Sequence, residues 1–199
     1  MRVTELPRPS TIDSALLASY PLVIRAGQFG TYTPSELAAY QRYVSLGGRL
    51  ILLTEFHRPE ESDMLALTFG LVFRGVSSGE NVIHRYTAHP ITKGLSDIPY
   101  LVGSGLFGTP PSATILGYLS ESTFIDLNGN RVQDPGEPSC APVMGVMRFG
   151  KGEIFFMGDT NTMEAVPQPL VDNLLQFVRS PIPAGHPSVA SATKDGCFN

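Results

Sequence analysis

Tryptophan is absent from the 199 residues, cysteine occurs only twice, and Asp, Glu, Lys and Arg together make up just 16% of the chain. Each shortage excludes something. Two cysteines, Cys140 and Cys197, are too few for a disulfide-framework fold and stand at no zinc spacing. They are either two free thiols or one bridge tying the C-terminal tail back to the body, and a bridge requires an oxidising compartment. Lys and Arg number 14 against 18 acidic side chains, a net charge of −4. With no basic cluster to neutralise phosphates, a nucleic-acid binder is excluded. No apolar run approaches the roughly 18 residues that a membrane helix needs; the bursts are short, as in Leu50–Leu53. The start, MRVTELPRPS, lacks the apolar stretch of a secretory signal.

What is there points to a folded domain. Hydrophobic residues at 42% exclude a disordered chain, and the length suits one domain with a sizeable core. With 20 glycines and 17 prolines, much of the chain must lie in turns. Arg2–Leu6 reads as a short strand and Leu22-Val23-Ile24 as a buried one. Thr33-Pro34-Ser35-Glu36 offers an N-cap threonine, a proline at the first helical position and a glutamate at the third, which is a capping box. Leu37, Tyr40 and Val44 follow at helical spacing, Gly47-Gly48 supplies the stop, and Arg49–Thr54 is a second buried strand. Strand, helix, glycine turn and strand form a βαβ unit, the building block of a parallel sheet. Further on, a helix is predicted over Glu60–Phe69, and strands over Asn81–Tyr86, Thr114–Leu119, Val143–Phe149 and Glu153–Met157, the last two joined by Gly150-Lys151-Gly152. Pro169–Arg179 closes as a helix with Leu170, Leu174, Leu175 and Val178 on one face.

The run YPLVIRAG, then TPSELAAYQRYVSLGGRLILLTE, HPITKGL, and FGKGEIFFMGDTNT before the terminal helix resembles the class I glutamine amidotransferase-like superfamily. More closely it resembles the non-amidotransferase branch found in bacterial multidomain and surface proteins. The resemblance spans about residues 1–180. It implies an α/β fold, a three-layer α/β/α sandwich with a mainly parallel, flavodoxin-like sheet, followed by a Pro/Ser/Ala-rich tail over 181–199. Family members usually carry another strand and helix ahead of the point where this chain begins, so a shortened sheet with an open edge is expected. True amidotransferases place a cysteine straight after the strand matching Arg49–Leu53; here the turn reads Thr54-Glu55-Phe56-His57. The family's late His and Glu partners are also missing, and Gly158-Asp159-Thr160 stands in that region. Glutamine hydrolysis through a cysteine thioester is excluded.

The segment richest in chemistry is Asp126–Glu137, DLNGNRVQDPGE. Asp126, Asn128, Asn130, Asp134 and Glu137 stand at loop positions 1, 3, 5, 9 and 12, and Val132 at position 7 can offer its backbone carbonyl. Calcium takes six to eight hard oxygens, commonly finished by a bidentate glutamate, and this spacing supplies them. Position 6 is Arg131 rather than glycine, and the flanks read as strand and loop rather than two helices. The expectation is therefore an EF-hand-like calcium loop inserted in a sheet connection, with affinity on the order of 10⁻⁵–10⁻³ M. The competing reading is a turn that merely uses Asn, Asp and Gly for their backbone preferences.

Other candidates are weaker. Gly103-Ser104-Gly105-Leu106-Phe107-Gly108 matches the dinucleotide fingerprint, but Thr109-Pro110-Pro111 forbids the helix that would meet a pyrophosphate, so a mobile glycine loop is expected. In open parallel sheets ligands bind beyond the carboxyl ends of the strands. Those ends carry Gln28, then Glu55 and His57, then Asp159 and Asn161. Glu55 and His57 could form an acid–base pair oriented by Asp159, with Thr54, Ser104, Thr160 or a water as nucleophile. Equally, Glu55 and Asp159 could cap backbone N–H groups. The leading expectation is a calcium-stabilised, non-catalytic binding or assembly module of an extracellular or surface protein. It would meet a protein partner, or a second copy, through an exposed sheet edge. The alternative is a hydrolase of ester, amide or glycosidic bonds using Glu55, His57 and Asp159.

Overall fold

A computed structural model of the chain describes residues 4–5, 11–27, 31–56 and 61–182. Most of the expected Arg2–Leu6 strand, together with Gln28, His57 and Cys197, lies outside these residues. The order of elements is α1 (Ser14–Ala18), β1 (Leu22–Ala26), α2 (Pro34–Ser45), β2 (Arg49–Leu53), α3 (Met64–Thr68), β3 (Val72–Arg74), β4 (Val76–Gly79) and β5 (Val82–Tyr86). Then come β6 (Ile98–Pro99), β7 (Gly105–Gly108), β8 (Ala113–Leu119), β9 (Thr123–Asp126), β10 (Pro142–Phe149), β11 (Gly152–Met157) and α4 (Gln168–Arg179).

The first third follows the sequence closely. Thr33 N–H donates to Glu36 Oε2 at 2.8 Å and Glu36 N–H to Thr33 Oγ1 at 3.2 Å, closing the capping box that starts α2. The turn into β2 needs glycine: Gly47 sits at φ +114°, and a Cβ on Gly48 would overlap the Tyr43 ring. β2 is buried along its whole length. Its alternate residues serve two cores, as a strand's period of two requires. Leu50 and Leu52 pack with Ala39, Tyr40 and Val44 of α2; Ile51 and Leu53 pack with Leu170 and Leu174 of α4. β11 divides in the same way, Ile154 and Phe156 against Phe155 and Met157.

The expected three-layer α/β/α sandwich with a mainly parallel, flavodoxin-like sheet is not formed. The main sheet runs β1-β2-β11-β10-β8-β5-β6. Only β1–β2 and β2–β11 are parallel; the other four pairings are antiparallel. The sheet is mixed, mostly antiparallel, and curls into a half-barrel. The reason lies between Thr68 and Gln168, where no α-helix occurs. Parallel neighbours need long crossovers, usually helical, whereas antiparallel ones need only turns. With few helices to cover it, the sheet buries much of its inner face by bending on itself. Register shifts at Pro142/Met144/Gly145 in β10 and at Ile83/Arg85 in β5 supply local bends. Two small antiparallel pairs, β3–β7 and β4–β9, lie outside the main sheet.

Within the parallel part, Arg49 and Glu153 are register partners on β2 and β11. The guanidinium donates to Glu153 Oε2 from Nε at 3.2 Å and Nη2 at 3.1 Å, and to the carbonyls of Val178 and Ser180 at the end of α4. Both side chains are nearly buried. Truncating Arg49 would leave a buried carboxylate and two carbonyls without their donor. Arg49→Ala should therefore lose about 3–5 kcal/mol in denaturant titration, while the apolar pair Arg49→Met with Glu153→Leu should recover much of the loss.

Candidate functional site

Two places gather the candidate residues. The first is the carboxyl end of the parallel strands. Thr160 hydroxyl donates to the Thr54 carbonyl at 2.9 Å and accepts from Gly27 N–H at 2.8 Å, so one side chain joins the ends of β1, β2 and β11. Asp159 beside it has no exposed surface. Its Oδ2 accepts from Leu101 N–H at 2.9 Å, Thr162 N–H at 3.1 Å and Thr162 hydroxyl at 2.6 Å; its Oδ1 accepts from Asn161 N–H at 2.8 Å. Ser104, equally buried, donates its hydroxyl to the carbonyls of Glu55 (2.7 Å) and Gly75 (3.1 Å). Tyr100 hydroxyl donates to the Ser104 carbonyl at 2.7 Å. A Cβ on Gly103 would stand 2.5 Å from Cβ of Asp159, which shows how closely the 100–104 segment lies on β11's end.

Asp159 caps loop N–H groups with both of its oxygens. The hydroxyls of Ser104 and Thr160 are committed to backbone carbonyls. Thr54 Oγ1 has no hydrogen-bond partner but is wholly buried. Glu55, like Thr160, keeps partial access to solvent. Burial pushes its carboxyl above the ordinary range, the charge of Asp159 adds to this, and hydrogen bonds from Thr160 oppose it. Burial likewise drives the Tyr100 phenol well up, reinforced by Asp159 and Glu55. Phe56, Leu101 and Val102, neighbours in sequence of these groups, are apolar and exposed. The expected Gly103–Gly108 loop is partly strand: Gly105–Gly108 is β7, paired with β3.

The second place is the Asp126–Glu137 loop, which follows β9. Its base is closed by Ile125 N–H to the Pro138 carbonyl at 3.0 Å and by a bridge between Phe124 and Ser139. Buried Asp126 accepts from Asn128 N–H (3.1 Å) and Gly129 N–H (2.6 Å) on Oδ1, and from Arg131 N–H (2.7 Å) on Oδ2. Burial alone would raise its pKa, but the N–H groups of Arg131, Gly129, Asn128 and Asn130 outweigh it and hold the carboxyl below its ordinary range. Asn128 Oδ1 accepts from Asn130 N–H and Asn130 Oδ1 from Val132 N–H, at 3.0 and 2.7 Å. Both carboxamide Nδ2 groups donate to Asp134 Oδ2, at 2.6 and 2.7 Å. Glu137 accepts from Leu127 N–H at 2.7 Å and Asp134 N–H at 3.0 Å. Arg131, where an EF-hand loop has glycine, takes the left-handed conformation at φ +63°. Among the described residues no three His, Cys, Asp or Glu side chains gather closely enough to hold a metal ion. The donor set is nonetheless all hard oxygen, the chemistry calcium requires.

Sequence reasoning missed a further cleft of about 420 Å³ lined by Glu80, His84, Arg85, Asp97 and Glu121 among others. His84 Nδ1 lies 2.9 Å from Asp97 Oδ1 there, with both side chains largely exposed. The two sit on β5 and before β6, and only the β5–β6 pairing brings them together.

No protein-family profile and no curated sequence matches the chain. Solved structures do resemble it. The mmIFT52 N-terminal domain is 16% identical, covering 86% of this chain and 82% of that one, with a TM-score of 0.66. Cytoplasmic protein STM3548 from Salmonella typhimurium is 14% identical over 85% of this chain and 76% of its own, with a TM-score of 0.56. A β-galactosidase from Rahnella sp. R3 is 15% identical over 83% of this chain but only 23% of its own, with a TM-score of 0.51. At such identities the likeness shows the fold alone.

Glu55 should make the stability of the fold pH-dependent. Its pKa is raised in the folded state, so the stability it contributes is complete below its ordinary 4.5 and is lost as pH climbs through the raised value. In a pH series of thermal melts, Glu55→Gln should gain on the parent across that window. Parallel curves would show that Glu55 titrates normally.

Proposed function

We propose that the chain is a non-catalytic binding or assembly module whose Asp126–Glu137 loop takes a calcium ion. The observation that carries the first half is the commitment of the crevice groups: Asp159, Ser104 and Thr160 all spend their hydrogen bonds on the backbone. Such groups position loops; they do not hold a nucleophile ready. The calcium half rests on the loop's spacing and its oxygens. Asp126, Asp134 and Glu137 bring three negative charges, and Asn128, Asn130 and the Val132 carbonyl bring neutral oxygens. The two carboxamide N–H groups on Asp134 occupy the partial-positive role that a cation would take over. Calcium would supply rigidity there, not chemistry. The disulfide at Cys140 supports an oxidising, extracellular or cell-surface setting. Partner contact would come through the strand edges at β1 and β6, the two ends of the main sheet, by a protein partner or a second copy.

Calcium that binds only the folded state stabilises it by mass action, by about 2.7 kcal/mol at a hundred times Kd. Chelator should therefore lower the melting temperature and added calcium restore it. Asp134→Asn should weaken the response, and Asp126→Ala with Glu137→Ala should abolish it. An identical melt with and without chelator in the parent protein would sink the calcium assignment.

Glu55, partly exposed and with a raised pKa, favours the second reading, a hydrolase. His57, its expected partner, lies outside the described residues. Chromogenic esters, amides and glycosides should show no turnover above the blank. Turnover that disappears in a folded Glu55→Gln variant would replace the module reading with the hydrolase.

A further inference from the structure

Asn128–Gly129 is the chain's one Asn-Gly pair. In such a pair the glycine nitrogen can attack the asparagine side-chain carbonyl carbon, because the following residue carries no Cβ to obstruct the approach. The surroundings are open here too: both residues are exposed, and a Cβ built on Gly129 would meet nothing within 4 Å. We propose that Asn128 is a site of spontaneous deamidation whose rate is set by the hydrogen bonds of the loop. The inference rests on those bonds and stands whether or not the loop takes calcium.

The step balances with water as its co-reactant. Gly129 N loses its proton and bonds to Asn128 Cγ. The Cγ–Nδ2 bond breaks, and Nδ2 leaves with that proton as ammonia, giving a five-membered succinimide. Water then adds to one of the two ring carbonyls and opens the ring. Opening on one side gives an ordinary aspartyl linkage, and on the other an isoaspartyl linkage with one extra methylene in the backbone. Nothing is oxidised or reduced. Either product places a fourth carboxylate in a loop that already holds Asp126, Asp134 and Glu137, and the isoaspartyl form also breaks the spacing of everything after it.

Each atom that must move is restrained in the closed loop. The Gly129 N–H that must give up its proton is held by Asp126 Oδ1 at 2.6 Å. The carboxamide that must turn toward it is held at both ends, Oδ1 by Asn130 N–H at 3.0 Å and Nδ2 by Asp134 Oδ2 at 2.6 Å. Reaction therefore requires the loop to open first, and the rate follows the population of the open form. Asp126 is the main restraint, since its carboxylate gathers three of the loop's N–H groups.

The test needs no cation. Full-length protein is incubated in chelator at mildly alkaline pH, and the loop peptide is followed by mass spectrometry for conversion of amide to acid. The comparison covers folded parent, parent unfolded in guanidinium chloride, and folded Asp126→Asn. Conversion at Asn128 should be fastest in the unfolded chain and slowest in the folded parent. Asp126→Asn should react roughly tenfold faster than the parent, the factor expected when hydrogen bonds to a charged acceptor are lost. Gly129→Ala, unfolded, should suppress conversion by returning a Cβ to the attacking residue. No acid product at Asn128 in the unfolded parent overturns the site. Equal rates in folded and unfolded parent overturn the control by the loop. Because every arm is run in chelator, neither failure bears on calcium.

Discussion

A carboxylate with no exposed surface is tolerable only when donors replace the water it has lost. Asp159 meets that condition with four donors from three residues, and much of the molecule hangs on the arrangement. It stands directly after β11, the strand that joins the parallel and antiparallel parts of the sheet. Through Leu101 it draws the 100–104 segment onto the strand ends, and this places Ser104 between the carbonyls of Glu55 and Gly75. Gly75 in turn lies so close to Ile125 and the Asp126 carbonyl that no side chain would fit there. One buried acid thus organises a continuous set of contacts from the crevice to the base of the Asp126–Glu137 loop.

The sheet it anchors is built on two different plans. β2 and β11 are covered on both faces, by α2 and α4, and after the Arg49–Glu153 pair their residues Leu50–Leu53 and Ile154–Met157 are apolar without alternation. Beyond β11 every pairing is antiparallel, and the strands bend around an inner face where Ile83, Leu116, Leu119, Val143 and Met144 share a core with Leu170 and Leu174 of α4.

Legibility in the sequence followed the range of the forces involved. The capping box at Thr33–Glu36, the Gly47-Gly48 stop, the hairpin after Phe149 and the apolar face of α4 depend on residues a few positions apart, and each was readable. Of the helix expected over Glu60–Phe69, the described residues form Met64–Thr68, because Asp63 caps Ala66 N–H and starts the helix there; Glu60 lies outside the described residues. β3, β4 and β7 escaped notice: three or four residues with glycines at their ends carry too little periodicity, and they exist because partners far along the chain pair with them. The crevice divided in the same way. Asp159 was found as a residue, but its role depends on Leu101, nearly sixty positions away, which no local pattern announces.

The sequence alone determined where the chain turns, which strands are buried on both faces, and that twelve consecutive residues present oxygens at regular spacing. Those features are local: dihedral preferences, side-chain periodicity and short-range capping decide them without reference to the rest of the chain. Tertiary structure alone decided the sense in which strands pair, the curl of the sheet, and whether a given carboxylate is a cap or an open acid. Strand sense depends on what lies between distant segments, and a carboxylate's role on which donors folding brings within 3 Å or so of it.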